Sequence, residues 1–385
     1  MMRKKLVLLL VAALVFAVGL SACGGGSGTA DTGGGDATAG GEPAAEDANP
    51  GWIEMKLTAA TFLPEGNPTN ACFSNLQAKL DKYMPGKMTI DVYYASTLLN
   101  EADMYDGILA GTADIGIVSI SRNVSRFPLT QLFCYPGFAF KGSGVAAEAH
   151  WNWIQSEKPA EYDDITVLMT QATGPMALVT KERVATVDDV AGKQYRADGV
   201  IGETVGSWGG VPVTIEDSET YESLRSGLLQ GSYSFYGGSA KNKLDEVAEY
   251  VMVSPLTNMA FIFGMNKARF EEMPADQQEA FMRAAVETMQ EYTWWFNEEN
   301  NVTDSDVVAF AKKMKHTMIG PDDPAFAGFN DRGKVLQGEY VKKLDADGLD
   351  GTGQLEVIRK FVEEANAKVT WEEYLAYYPP LTYAE

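Results

Sequence analysis

The feature that most constrains this chain is an alternation of strand-like and helix-like segments that runs through once and then starts again. Met55 to Thr61 reads as a strand, and Asn70 to Tyr83 carries Phe73, Leu76 and Leu80 at the spacing of one helix face. Met88 to Tyr94 alternates as a strand, and Glu101 to Leu109 reads as a helix. Asp114 to Ile120 is a strand that ends in a polar turn through Ser121, Arg122 and Asn123. A helix near Val145 to Gln155 follows, and strands at Ile165 to Gln171 and Met176 to Thr180 open a second unit. That unit continues through Lys193 to Arg196, a helix near Gly202 to Trp208, Val211 to Ile215, a helix from Glu219 to Leu229, and a strand from Ser232 to Tyr236. Such alternation predicts an α/β fold with helices packed on sheets.

Asn258 to Met265 is a further strand, and Pro274 to about Lys315 is a long helical stretch with Pro274 in its first turn. A helix of that length can run behind both units. From Trp52 onward the body has about 330 residues, more than one hydrophobic core organises, so two lobes are expected. Residues 51–173 with about 256–300 form the first lobe on this reading, and 174–255 with parts of 301–385 form the second.

The amino terminus reads as an export signal. Arg3, Lys4 and Lys5 precede an uncharged apolar run from Leu6 to Gly19, which is short for a membrane-spanning helix. The run ends in Leu20-Ser21-Ala22-Cys23, which resembles the bacterial lipobox, in which the cysteine is lipidated. On this reading residues 1–22 are a signal peptide and Cys23 is the lipid anchor. The alternative is an ordinary signal cut near Ala22. From Gly24 to about Pro50 the chain is mostly Gly, Ala, Thr, Asp and Glu with no large apolar residue, the composition of a flexible linker. The expected location is extracytoplasmic, periplasmic or at the cell surface, on a membrane.

Charge and composition exclude several functions. With 53 acidic against 31 basic side chains the net charge is −22, which argues against nucleic acid as a partner. His150 and His316 lie far apart with no ligand-like spacing, so no metal site is expected. Gly142-Ser143-Gly144 has dinucleotide-turn spacing, but it follows Tyr135-Pro136-Gly137, so it reads as a helix-entry loop and no cofactor is implied. Asp345, Asp347, Asp350 and Glu356 span an EF-hand-sized stretch, but Leu349 and Asp350 stand where a ligand and a glycine are needed, so an acidic surface loop is the better reading. The common hydrolase and phosphate-loop signatures do not occur, and no enzyme activity is expected. Spacing leaves open whether Cys72 and Cys134 are joined or are separate buried thiols.

Several ordered segments carry a more specific signal. Asp189-Val190-Ala191-Gly192-Lys193-Gln194-Tyr195-Arg196 is followed by Gly209-Gly210-Val211-Pro212, then Glu219-Thr220-Tyr221 and Leu224-Arg225-Ser226-Gly227. In the first lobe, Leu98-Leu99-Asn100-Glu101 leads through Gly107 to Gly111-Thr112-Ala113-Asp114, and Met273-Pro274-Ala275-Asp276-Gln277 begins the late helix. Together these resemble the solute-binding proteins of TRAP transporters, the dicarboxylate-receptor (DctP) family. The resemblance implies a two-lobed periplasmic-binding-protein-like fold with a long helix spanning both lobes. It also implies a small organic acid ligand, TRAP integral membrane subunits as partners, and Arg196 on the ligand carboxylate.

Arg196 suits that role physically. It ends a predicted strand, where ligands of open α/β sheets gather, and guanidinium meets carboxylate through two parallel hydrogen bonds. The competing reading is an ordinary ion pair with Asp189 or Asp198. Met176 stands where some members of the family carry a second arginine, Ser234 replaces a frequent amide, and Asp217 replaces an aromatic. These three, with Tyr236 at the end of the same strand as Ser234, are candidate ligand-binding residues in the second lobe. Phe62, Asn67, Glu101, Ser119 and Ser121, on loops after strands, are the candidates in the first. Two other classes of function stay in view, an exported ligand sensor that signals to a kinase and an exported enzyme.

Overall fold

A computed structural model describes residues 51–174, 176–298 and 304–370. Residues 1–50, read above as a signal segment, Cys23 anchor and linker, lie outside the described residues. Eleven strands and eleven α-helices follow in chain order among those described. They are β1 (Met55–Ala60), α1 (Ala71–Tyr83), β2 (Met88–Tyr93), α2 (Met104–Leu109), β3 (Ile115–Ser119), α3 (Ser143–Glu157), β4 (Ile165–Ala172) and β5 (Met176–Thr180). Next come β6 (Gln194–Arg196), α4 (Gly199–Ser207), β7 (Val211–Val213), α5 (Thr220–Ser226), β8 (Gly231–Phe235), α6 (Tyr236–Lys241), β9 (Tyr250–Val253) and β10 (Ala260–Asn266). The chain continues with α7 (Lys267–Glu271), α8 (Ala275–Glu298), α9 (Ser305–Lys313), β11 (Lys315–Met318), α10 (Pro324–Ala346) and α11 (Gly351–Asn366).

The strands form two sheets, ordered β2-β1-β3-β10-β4 and β11-β9-β5-β8-β6-β7. In the first, β1 lies parallel to β2 and β3, while β10 runs antiparallel to β3 and β4. Every residue of β3 is buried, as expected of a central strand covered on both faces. In the second sheet, β5 is antiparallel to β8 and β9, and β6 is parallel to β7 and β8. Each sheet with its helices makes one lobe.

The chain passes between the lobes where β4 leads to β5 and where β9 leads to β10. These passages lie side by side and are hydrogen-bonded to each other. Thr173 N donates to Met259 O at 2.9 Å, and Met259 N donates to Thr173 Oγ1 at 2.9 Å. Tyr233 Oη and Thr257 Oγ1, 2.7 Å apart, tie the second passage to β8.

The late helices are set by their ends. Asp304 caps α9 by accepting from Asp306 N and Val307 N, and Asp323 caps α10 by accepting from Ala325 N, with Pro324 at the first helical position. The helical stretch expected from Pro274 to Lys315 divides into α8 and α9. Helix α8 packs on α1, α3 and β4, all in the first lobe. Among the described helices, α10 joins the two lobes. Near its start Phe329 meets Trp208 edge-on with ring centroids 5.1 Å apart, and Trp208 Nε1 donates to Phe329 O. Near its end Tyr340 stacks on Tyr135 at 4.4 Å and donates to Pro128 O.

Two sequence motifs resolve as local structure. Gly142, at φ 127°, leads into α3 as a helix-entry residue. In the acidic stretch, Asp350 caps α11 by accepting from Gly353 N, and Asp345 accepts from the backbone and hydroxyl of Thr352. These carboxylates serve helix starts, and no cluster able to hold a metal ion occurs among the described residues. Cys72 and Cys134 are separate, buried, free thiols in different core clusters.

Candidate functional site

Arg196 is the last residue of β6, at its carboxyl end. Register pairs it with Ser232 of the parallel strand β8, so the two side chains share a sheet face, and alternation puts Ser234 on that face one step further. The Arg196 side chain is 11% exposed. Its Nη2 lies 3.6 Å from Asp198 Oδ2 and 4.0 Å from Asp217 Oδ1, both beyond hydrogen-bond length. Its Nε is buried with no acceptor, and so is the hydroxyl of neighbouring Ser232. A buried guanidinium with a free N–H is costly unless something accepts from it.

The first lobe brings a second guanidinium to the same place. Arg122 sits in the turn after β3, a turn closed by Asn123 Nδ2 donating to Ser119 O at 2.8 Å. From there Arg122 Nη2 lies 2.8 Å from Asp198 Oδ2, and its Nε lies 3.7 Å from Glu101 Oε2. Asp198, in the second lobe, thus stands between Arg122 and Arg196. Close approach of the lobes here is eased by Gly199, at φ +50°, where a Cβ would crowd Ser121 O at 3.3 Å. A second contact between the lobes is made nearby, where Tyr135 Oη donates to Glu203 Oε2 at 2.7 Å.

Glu101 completes the group. Burial pushes its carboxyl above the usual range, against the pull of Arg122 and a hydrogen bond with Ser119. Ser119 Oγ is 3.4 Å from Ser121 Oγ, so the three side chains line one wall in the first lobe.

The structure therefore brings together Arg196, Asp217, Glu101, Ser119 and Ser121, with Ser234 on the sheet face of Arg196. It places the other predicted residues elsewhere. Met176 is in register with Phe235, which puts it on the opposite sheet face, packed with Leu178, Tyr195 and Tyr233. Tyr236 opens α6 and turns into the core, where its hydroxyl is 2.8 Å from His316 Nε2 and its ring packs edge-on against Phe310. Asn67 accepts from Thr69 N and serves the turn before α1, and Phe62 packs against the first-lobe core. Asp217 is anchored by Asn242 Nδ2 at 2.7 Å and is 54% exposed, which makes it a rim residue.

Arg122 and Asp198 were not among the predicted binding residues. The available signal was Arg122's position in the first turn beyond the carboxyl end of a buried strand.

Two α/β lobes joined by paired crossovers, with opposed polar walls and a buried guanidinium between them, define a cleft-type binding protein. The chain belongs to the bacterial extracellular solute-binding proteins of family 7 (DctP), whose family model matches residues 59–342. A solute-binding protein of Albidiferax ferrireducens is 20% identical over 285 residues, covering 70% of this chain and 80% of the relative. A TRAP periplasmic solute-binding protein from Desulfovibrio salexigens superposes with a TM-score of 0.75 at 24% identity, covering 83% of this chain and 98% of that one. A marine-metagenome TRAP solute-binding protein specific for aromatic acids, in complex with 3-hydroxybenzoate, superposes with a TM-score of 0.72 at 19% identity, covering 82% and 99%. The family consists of receptors that bind solutes. No helix among the described residues is long and apolar enough to cross a membrane.

Proposed function

We propose that this protein captures a small organic acid in the cleft between its lobes, with the ligand carboxylate on Arg196, and delivers it to the integral membrane subunits of a TRAP transporter. The observation that carries this reading is the guanidinium of Arg196, whose buried Nε has no acceptor and whose Nη2 stands 3.6 and 4.0 Å from the carboxylates of Asp198 and Asp217, beyond hydrogen-bond length. A bidentate carboxylate supplies the missing acceptors, and a closed cleft excludes the water that weakens such a pair. The solved relative that holds 3-hydroxybenzoate supports an acid as the ligand. Binding acts by shifting the balance between open and closed lobes, with no covalent step.

Lipidation at Cys23 belongs to the same proposal and rests on the Leu20-Ser21-Ala22-Cys23 sequence. It would hold the receptor beside the membrane through the 24–50 linker. A thermal-shift screen of the purified full chain against small carboxylic acids, repeated with Arg196→Ala, tests the binding site. Stabilisation by an acid that is lost in the variant is the expected result, and equal stabilisation of both forms removes Arg196 from the site.

A further inference from the structure

We infer that the ligand carries one carboxylate and that its far end is uncharged or cationic. This rests on the cleft reading above and narrows it to a class. Two guanidiniums, Arg122 and Arg196, meet at Asp198, whose side chain is 13% exposed. With Glu101 and Asp217 beside them, three carboxylates already face two guanidiniums, so only a donor left locally unpaired can hold an anionic group here.

The positive charge is also not evenly available. Arg122 already has Asp198 at 2.8 Å and Glu101 at 3.7 Å, whereas Arg196 has only the looser pairs at 3.6 and 4.0 Å and a buried Nε without an acceptor. The unmet demand for an anionic acceptor therefore lies at Arg196. A second carboxylate on the same ligand would have to lie among Glu101, Asp198 and Asp217, and like charges at such range oppose it. The same three carboxylates suit a hydroxyl, amide or ammonium, which can donate to them.

Matched acid pairs that differ by one carboxylate test this directly. The purified full chain is titrated calorimetrically with benzoate and isophthalate, and with succinamate and succinate, in the wild type, Arg196→Ala, Glu101→Gln and Asp217→Asn. The monoacid is expected to bind at least tenfold more tightly than its diacid, and at least one of the two neutralised variants should narrow that gap to threefold or less. Thermal melts establish that each variant is folded. A diacid that binds as tightly as its monoacid in the wild type, yet is lost in Arg196→Ala, overturns this inference and leaves the organic-acid reading standing. A gap that neither neutralised variant narrows also overturns it. If no acid binds, or binding ignores Arg196→Ala, both readings fall.

Discussion

Arg122 of the first lobe places its Nη2 2.8 Å from Asp198 Oδ2 of the second, so the two walls of the cleft are joined by opposite charges before any ligand is considered. The carboxylate paired in charge with Arg122 also stands 3.6 Å from Arg196, so one side chain links the element that closes the cleft to the element proposed to hold the ligand.

Removing that charge should loosen closure. Asp198→Asn is expected to raise the radius of gyration measured by small-angle X-ray scattering without ligand, and Arg122→Asp should do the same. The double variant Arg122→Asp/Asp198→Arg should stay expanded, because the swap sets like charges beside Arg196 and Glu101. Identical scattering from wild type and both single variants would show that the pair does not hold the lobes together.

Glu161 offers a pH-dependent test within the first lobe. It accepts from the backbone N–H of Leu129 and Thr130 and from the Thr130 hydroxyl, and burial pushes its carboxyl from 4.5 to about 7. The folded chain thus holds this proton more tightly than the unfolded chain. The resulting stability is fully present below pH 4.5 and is lost as pH rises to about 7, a change of about 3 kcal/mol. Denaturant titrations of wild type and Glu161→Gln at pH 4.5 and pH 8 should show the wild type losing ground to the variant by about that amount. His150, which burial holds down to about 3, acts in the opposite sense but is common to both chains, so it cancels in the difference. A constant difference across this range would mean that Glu161 keeps its ordinary acidity.

The two body cysteines should be chemically silent. Both are buried, and burial pushes both thiols up, Cys134 to about 12. In a chain carrying Cys23→Ser, a thiol reagent should report no fast-reacting group in native buffer and two in denaturant. Two thiols missing after denaturation without reductant would indicate a disulfide instead.

Helix α10 should depend on its anchor in the second lobe. Phe329 is fully buried against Trp208, and Phe329→Ala is expected to cost about 3–5 kcal/mol in chemical denaturation. A loss below about 1 kcal/mol would mean that the helix is held elsewhere.

The βα rhythm and its restart were legible because strands and helices advertise themselves through period, and the position of Arg196 at a strand end followed from the same reading. What period cannot show is which face a residue takes when the strand beside it runs the other way. Met176 begins a strand antiparallel to β8, and that pairing sends it to the face away from Arg196. Alternation alone puts Tyr236 at the end of a strand, yet it opens a helix and turns inward to His316. Arg122 and Asp198 lie 76 residues apart in the chain (198 − 122), and only the approach of the two lobes joins them. The late helix was legible as helical but not as interrupted, and the task of bridging the lobes passed to a later segment with its own cap at Asp323.

The side-by-side crossovers at Thr173 and Met259 have a mechanical meaning. Two connecting segments bonded side by side resist twisting about any axis but one, as two pins do in a door. Helix α10 is then a strut fastened at Trp208 and resting on Tyr135 through Tyr340, so rotation about the pins must be taken up at one of its ends. The stacked rings of Tyr135 and Tyr340 can slide past each other more easily than the interlocked Trp208 and Phe329 can part. Opening of this receptor should therefore be felt first as slippage between two tyrosines.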